Sequence, residues 1–490
     1  MIDEEIRLHN KSQIEFKYNY SFPNSQKKNS YQVDTYIFIP SSLGMNHYSY
    51  PSEQFYRDLQ SNIRLKTPSY SLEDLTKENS TPFTNLLKEV KKLKSGLSQD
   101  EMHLLEDNLK MFCSVFRTSI RDHLTVIKSS CSNKKCETLV DLFLESIVTI
   151  IARYRSLRVY FEEENISDDA LSVYKFGDEY LSLLMESVCF RLIDLVEGCS
   201  VNASAQQMST LYDILNQEKD HRLAENYGSV PVSNEDNEEY IYRRSVLKKF
   251  ASSVLYLNTK YVKEGKVLEQ VLYSIAAGIA MIFATVMAFY FQVLYGNLTF
   301  PFLVTLVISY MLKDRMKDSL KLLFVKKFLG SKFDHKFKIF SSSGKSIGFC
   351  KESCRFLKVE YIPQDIMKYR NRERFTEIED GFFLTENIIH HQKLIQLNVS
   401  GLKKSFPNFK AEGITDITRF TILKFLEKMD GGREIINLVH ENQREKIRAK
   451  KVYHINLVIR YSSSSGESIR KFRVVLDKKG IKRIEEPLVS

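Results

Sequence analysis

Residues 270–312 form a run of 43 residues without a single Lys, Arg, Asp, Glu or His. The run reads QVLYSIAAGIAMIFATVMAFYF, then QVLYGNLTF, then PFLVTLVISYML, with a turn signal at Tyr295-Gly296-Asn297. A helix on a water-soluble core keeps a polar stripe toward solvent, and neither arm here has one. The missing charge thus argues against a solvated hairpin and for lipid, where a span needs about 20 apolar residues. Proton relays, ion paths and substrate sites in membranes draw on intramembrane Asp, Glu, Lys, Arg or His. Their absence argues against a secondary transporter, while a pore gated by apolar constriction stays open.

Other absences narrow the chemistry. The N-terminus, MIDEEIRLHNKS, has neither the basic nor the apolar region of a secretory signal, so the N-terminal part is expected in the cytoplasm. Seven cysteines, an odd number without a framework, fit a reducing compartment. Cys350 and Cys354, far from Cys131 and Cys136, lack the paired C-x-x-C spacing of structural zinc. His390 and His391 are adjacent, and on a strand they face opposite ways. No H-E-x-x-H, G-x-S-x-G or G-x-G-x-x-G occurs. Ser341 to Ser346 ends in GKS, but Ile339 stands where a phosphate loop needs its first glycine, so the segment reads as a hairpin turn. No catalytic residue, metal ligand or cofactor site emerges from these spacings, and the chain leans away from an enzyme.

What is present is asymmetric charge. Residues 1–312 hold 33 Lys+Arg against 39 Asp+Glu, and residues 313–490 hold 38 against 22. Basic residues begin directly after the uncharged run, at Lys313, Arg315, Lys317, Lys321, Lys326 and Lys327, and Arg243, Arg244, Lys248, Lys249, Lys260, Lys263 and Lys266 precede it. Lys and Arg beside spans mark the cytoplasmic side. Both termini are therefore expected in the cytoplasm, with the six cations that follow the hairpin on anionic headgroups of that leaflet. The basic C-terminal region lacks a recognisable nucleic-acid reader, so the membrane surface is the favoured partner over nucleic acid.

Periodicity supplies a fold. Residues 1–50 alternate like strands at Ile14, Phe16, Tyr18, Tyr20 and Phe22 and again at 33–39, an expected β-hairpin packed on a helical domain. Residues 51–227 keep a helical period, with a capping box at Ser98 and Glu101 and a helix end at Gly198, and read as a bundle. A linker at 228–237 leads to a juxtamembrane helix at 238–266 able to run on into the first span. Transmembrane helices are expected at 267–294 and 300–312, joined by an extracytoplasmic loop at 295–299, and a basic amphipathic helix at 313–329. Residues 330–490 read as a cytoplasmic α+β domain with an antiparallel sheet, including a helix at 414–429 and a hairpin from 451–461 and 468–477. The fold class is thus a membrane protein with a helical part, a two-helix hairpin and an α+β part.

Inside the hairpin, Ala276, Ala280, Ala284 and Ala288 recur every four residues and share one helix face, as do Thr305 and Ser309 in the second arm. Small residues let helix backbones approach closely in lipid. The face serves either the packing of the two arms on each other or self-association through the first helix. The expected function is a non-catalytic scaffold, sensor or relay anchored at the membrane. The alternatives are an oligomeric pore-forming or membrane-perturbing effector, and a membrane-tethered enzyme whose site residues at 330–490 converge only in three dimensions.

Overall fold

The computed structural model describes all residues except 1, 22–27, 96–97, 131–134, 163–165, 199–203, 263–265, 297–298, 329–332, 343, 372–385, 407–408, 410, 441–442 and 487–490. Helices and antiparallel sheets make up the chain. Strands β1 (Ile2–Asn10), β2 (Gln13–Ser21) and β3 (Lys28–Pro40) open it, followed by α1 (Ser52–Asp58) and β4 (Leu59–Leu65). Helices α2 (Leu72–Thr76), α3 (Thr81–Lys91), α4 (Gln99–Ser130), α5 (Lys135–Ser156), α6 (Asp168–Gly198), α7 (Ala205–Ala224) and α8 (Glu238–Ser252) come next. Strand β5 (Asn258–Tyr261) precedes α9 (Lys266–Tyr295) and α10 (Phe300–Phe328), and β6 (His335–Phe340) follows them. The rest is β7 (Ser346–Leu357), α11 (Gln364–Asn371), β8 (Glu386–Asn398), α12 (Val399–Ser405), β9 (Gly413–Thr421), α13 (Leu423–Glu427) and β10 (Arg433–His440) to β14 (Gly480–Glu485). Between those last two lie β11 (Gln443–Lys450), β12 (Tyr453–Ser463) and β13 (Gly466–Asp477).

Eight strands in the order β14-β13-β12-β3-β8-β7-β6-β5 face a second sheet of order β1-β2-β9-β4. The inner faces share one core, in which Tyr18 of the small sheet meets Tyr461 of the large one at 5.9 Å between ring centroids. Alternation explains the burial: Ile389, His391, Lys393, Ile395 and Leu397 of β8 all point inward. The outer face of the large sheet is covered by α11, through Tyr36, Phe38, Ile366 and Val458.

The N-terminal strands depart from expectation. The runs at 14–22 and 33–39 do not pair with each other. Instead β2 lies between β1 and β9, and β3 lies between β12 and β8 in the other sheet. Both runs are apolar enough to be central strands, and the C-terminal strands supply the partners that an isolated hairpin lacks. Residues 1–50 are therefore integral to the C-terminal sheets rather than an appendage of the bundle. Residues 414–421 form a strand, not a helix: five of the eight are β-branched, and Ile414, Asp416, Thr418 and Phe420 share the inward phase. The helix at 238 ends at Ser252 and gives way to β5, so it does not continue into α9.

Gly413 shows how closely β2 and β9 approach: a Cβ there would lie 2.1 Å from the Tyr20 carbonyl oxygen. Gly413→Ala should cost about 3 kcal/mol through this clash, seen as a lower denaturant midpoint without a change of slope.

The bundle is held by an apolar core and a buried ionic seam. The capping box forms, with Ser98 N donating to Glu101 Oε2 at 3.0 Å. Arg155 reaches Asp178 Oδ1 at 3.0 Å and Glu218 Oε2 at 2.7 Å, and Arg243 of α8 reaches Glu179 Oε1 at 2.6 Å. The seam joins α5, α6, α7 and α8, which apolar periodicity alone does not register.

Candidate membrane interface and buried ionic centre

Helices α9 and α10 lie side by side, and their outer surfaces are apolar and exposed. Val293 is 89% and Phe300 80% exposed, and Ile282, Val286, Phe289, Leu303 and Ile308 are likewise open. A soluble monomer rarely leaves so large a contiguous apolar surface bare. Among the described residues one helix, within Glu269–Tyr295, is long and apolar enough to cross a membrane, with only 17% of its most apolar window buried.

The alanine stripe faces the neighbouring helix. Ala276 and Ala280 are buried, Ala284 and Ala288 are half-buried, and Ser309 of α10 is buried opposite them. Thr305 Oγ1 donates to Pro301 O of its own helix at 2.7 Å and so does not bond across the pair. Within this chain α10 occupies the face that a second copy would have used.

The second arm differs from expectation. Residues 300–312 do not form a separate helix, because α10 runs unbroken to Phe328 through the expected amphipathic segment. Its charge-free part is 13 residues, about 20 Å long at 1.5 Å per residue. That is shorter than a hydrocarbon core of about 30 Å, so α10 gives no support for a second complete span. The levels of the arms follow from Lys321, whose Nζ sits 5.6 Å from the ring centroid of Tyr273. Lys313 Nζ lies 3.7 Å from the ring centroid of Tyr310, with its charge turned back along the helix. Arg315 is exposed, Lys317 is half-buried, and Lys321 Nζ is 3.4 Å from Asp318. Lys326 and Lys327 belong to the helix, and their side chains lie outside the described residues.

Strands β5 and β6, which flank the hairpin, are hydrogen-bonded neighbours at the edge of the large sheet. The hairpin is thus an insertion between two adjacent antiparallel strands. A cavity of about 320 Å³ lies near this edge, lined by Tyr56, Ser61, Thr259, His335, Cys350 and Glu352 among others.

Glu352 connects that cavity to a buried centre that spacing did not single out. Lys393 Nζ of β8 lies 2.6 Å from Asp416 Oδ2 of β9 and 3.0 Å from Glu352 Oε1 of β7. It also donates to Ser61 Oγ of β4 at 3.0 Å. Burial opposes the Lys393 charge, but Asp416 and Glu352 outweigh burial and hold its pKa well above the ordinary value. Burial likewise raises Glu352, and Lys393 and then His391 outweigh it, leaving the carboxyl below its usual range. The ammonium is thus fixed as a cation between layers rather than poised to give up a proton. Burial pushes the Cys350 thiol well up, which removes its nucleophilic form. Converging carboxylates, a lysine and a histidine do occur here, yet their geometry is that of an ionic rivet across the sandwich.

His391 beside this centre is buried, and burial lowers its pKa from 6.5 to about 4. It is neutral in the folded protein, whereas the unfolded chain takes up the proton below 6.5. Stability therefore falls as pH drops from about 6.5 toward 4, by about 2 kcal/mol between pH 7 and 5. His391→Leu should remove that part of the pH dependence when denaturant midpoints are compared at the two values. The Glu352 contribution is lost only below 4.5, as pH falls through its depressed value, and should remain. His390, one residue away, faces outward and meets Asp34 Oδ1 at 3.0 Å.

A signal for the centre existed in the strands: Lys393, Asp416 and Glu352 each occupy the inward phase of a strand, where a charged side chain stands out. The GKS tripeptide lies at the turn between β6 and β7, with Gly344 at φ +75°. Among the described residues no group of three His, Cys, Asp or Glu side chains is arranged to hold a metal. No family model, curated protein or solved structure matches this chain.

Proposed function

We propose that the chain is an integral membrane protein anchored by the α9–α10 hairpin, with the sandwich and bundle together on the cytoplasmic side. The observation that carries this is the contiguous bare apolar surface of the hairpin, joined to a body built around a buried apolar core. The adjacency of β5 and β6 supports a shared side, since both ends of the hairpin leave one sheet edge. The cations of α10 fit the headgroup level, where long basic side chains keep their charge in water while their stems cover lipid.

The role that suits this build is a relay or scaffold rather than a catalyst. The hairpin is attached directly to the large sheet, and Leu257 N donates to Ile63 O of β4 at 3.0 Å just before β5. A displacement of the arms would therefore act on both layers of the sandwich. A cysteine at Thr299, near the hairpin tip, tests the depth in closed vesicles with the body outside. A two-armed span exposes the tip to reagent trapped inside the vesicle, whereas a one-leaflet hairpin shields it from reagent on either side. Cysteines placed in the body react from outside in both cases, and extraction of the protein by carbonate alone would overturn the anchor.

A further inference from the structure

A second cavity, of about 350 Å³, lies where the small sheet meets α4. Its wall carries Lys17 of β2, Arg64 of β4, Lys66, and Arg117 and Arg121 of α4, against only Asp3 and Asp122. Three of the five cations have partners. Lys17 Nζ is 2.9 Å from Glu5, Arg121 is 2.9 Å from Asp122, and Lys66 Nζ donates to Ser21 Oγ at 3.0 Å with Glu412 at 4.0 Å.

Arg64 and Arg117 have no carboxylate partner among the described residues. Burial, and then the charges of Arg117 and Arg121, lower the Arg64 pKa. Lys248 of α8 is lowered chiefly by Arg117. Half-buried cations crowded in this way are disfavoured unless an opposite charge joins them. The hydroxyls of Thr67, Ser69 and Thr118 add polar groups to the same wall.

We propose that this cavity binds a compact, multiply charged phosphate-type anion, held between Arg64 and Arg117. Paired guanidinium forks suit phosphate oxygens better than single ammonium groups do. The volume falls in the range of small-molecule sites, about 300–1,000 Å³. Two unmatched cations call for at least two negative charges on the ligand. The site joins β4 of the sandwich to α4 of the bundle, and Leu255 on its wall stands three residues before β5. Occupancy thereby stiffens the junction from which the hairpin departs. The inference does not depend on the hairpin's being in lipid.

Phosphate groups of this kind come from a soluble metabolite or from a lipid headgroup, and two arms separate them. In the first, full-length protein in neutral detergent is titrated with inorganic pyrophosphate at constant ionic strength and its thermal unfolding followed. Ligand that binds only the folded state should raise Tm by about 2–4 °C near saturation. In the second, nanodiscs of neutral lipid are compared with nanodiscs containing phosphatidic acid. Protection in the first arm assigns the soluble source, and protection in the second alone assigns the headgroup. In either case R64Q/R117Q should abolish it. Without anion, at low salt, R117Q should melt close to the parent, since relief of the repulsion felt by Arg64 and Lys248 offsets the lost bond to the Tyr180 hydroxyl. Equal protection of parent and double variant, no protection in either arm, or an anion-free R117Q that melts well below the parent would overturn the proposal.

Discussion

Replacing Val286 and Val293 by aspartate should release the protein from membranes. Both side chains lie on the bare surface of α9, at 59% and 89% exposure, away from the alanine stripe. Placed in a bilayer, an aspartate at 286, near the middle of α9, opposes insertion by about 3 kcal/mol, and one at 293, close to its end, opposes it by less. The two act in the same direction, the aspartate at 286 carrying most of the effect. In water the result would be the opposite. Exposed positions without partners tolerate substitution within about 0.5 kcal/mol, and the added charge would improve solubility. The readout is the fraction that stays with the pellet after carbonate extraction. V286D/V293D found in the pellet as fully as the parent would remove the case for a lipid-facing hairpin. V286L/V293L controls for helix packing and should stay in the membrane.

The second large effect is expected at Lys393. Lys393→Met leaves Asp416 and Glu352 buried and facing each other without their shared cation. Breaking a buried pair from one side costs about 3–5 kcal/mol. For a chain of this size that corresponds to a fall in Tm of about 3–5 °C. The triple replacement K393M/D416N/E352Q removes the charges together and should recover part of the loss, because no uncompensated ion stays behind. A single variant that melts with the parent would show that the layers do not rely on this link. Recovery in the triple variant separates an uncompensated charge from a simple packing defect at Lys393.

Helical segments were the most legible part of the chain. The apolar spacing at Leu105, Leu109, Phe112 and Phe116, with the Ser98 and Glu101 cap, marks α4, and Gly198 marks the end of α6. The β6–β7 turn and the β12–β13 pair were also readable, since a turn sequence separates two alternating runs. Strand partnership was not. Nothing local in the run at 33–39 distinguishes Tyr461 or His391 as a neighbour, because pairing over hundreds of residues leaves no spacing to measure. The same holds for Arg64 and Arg117, which lie on a strand and a helix that meet only after folding. Short β4 was hidden behind α1, where Phe55, Leu59 and Ile63 satisfy a helical period across a change of structure. At 414–421 the β-branched content should have outweighed the apolar count that suggested a helix.

The placement of β3 has a consequence for the order of events during synthesis. This strand leaves the ribosome early, yet its two neighbours, β8 and β12, begin at residues 386 and 453. At about 5–20 residues per second, the wait lasts from roughly 20 s to more than a minute. Helices α9 and α10 emerge within that interval, before the large sheet can close. The apolar arms thus meet a membrane or a chaperone while the sandwich is still open. Edges of β2 and β3 stay unpaired meanwhile and are open to mispairing. Insertion of the hairpin would then precede closure of the sheet, so that the body completes its fold already tethered.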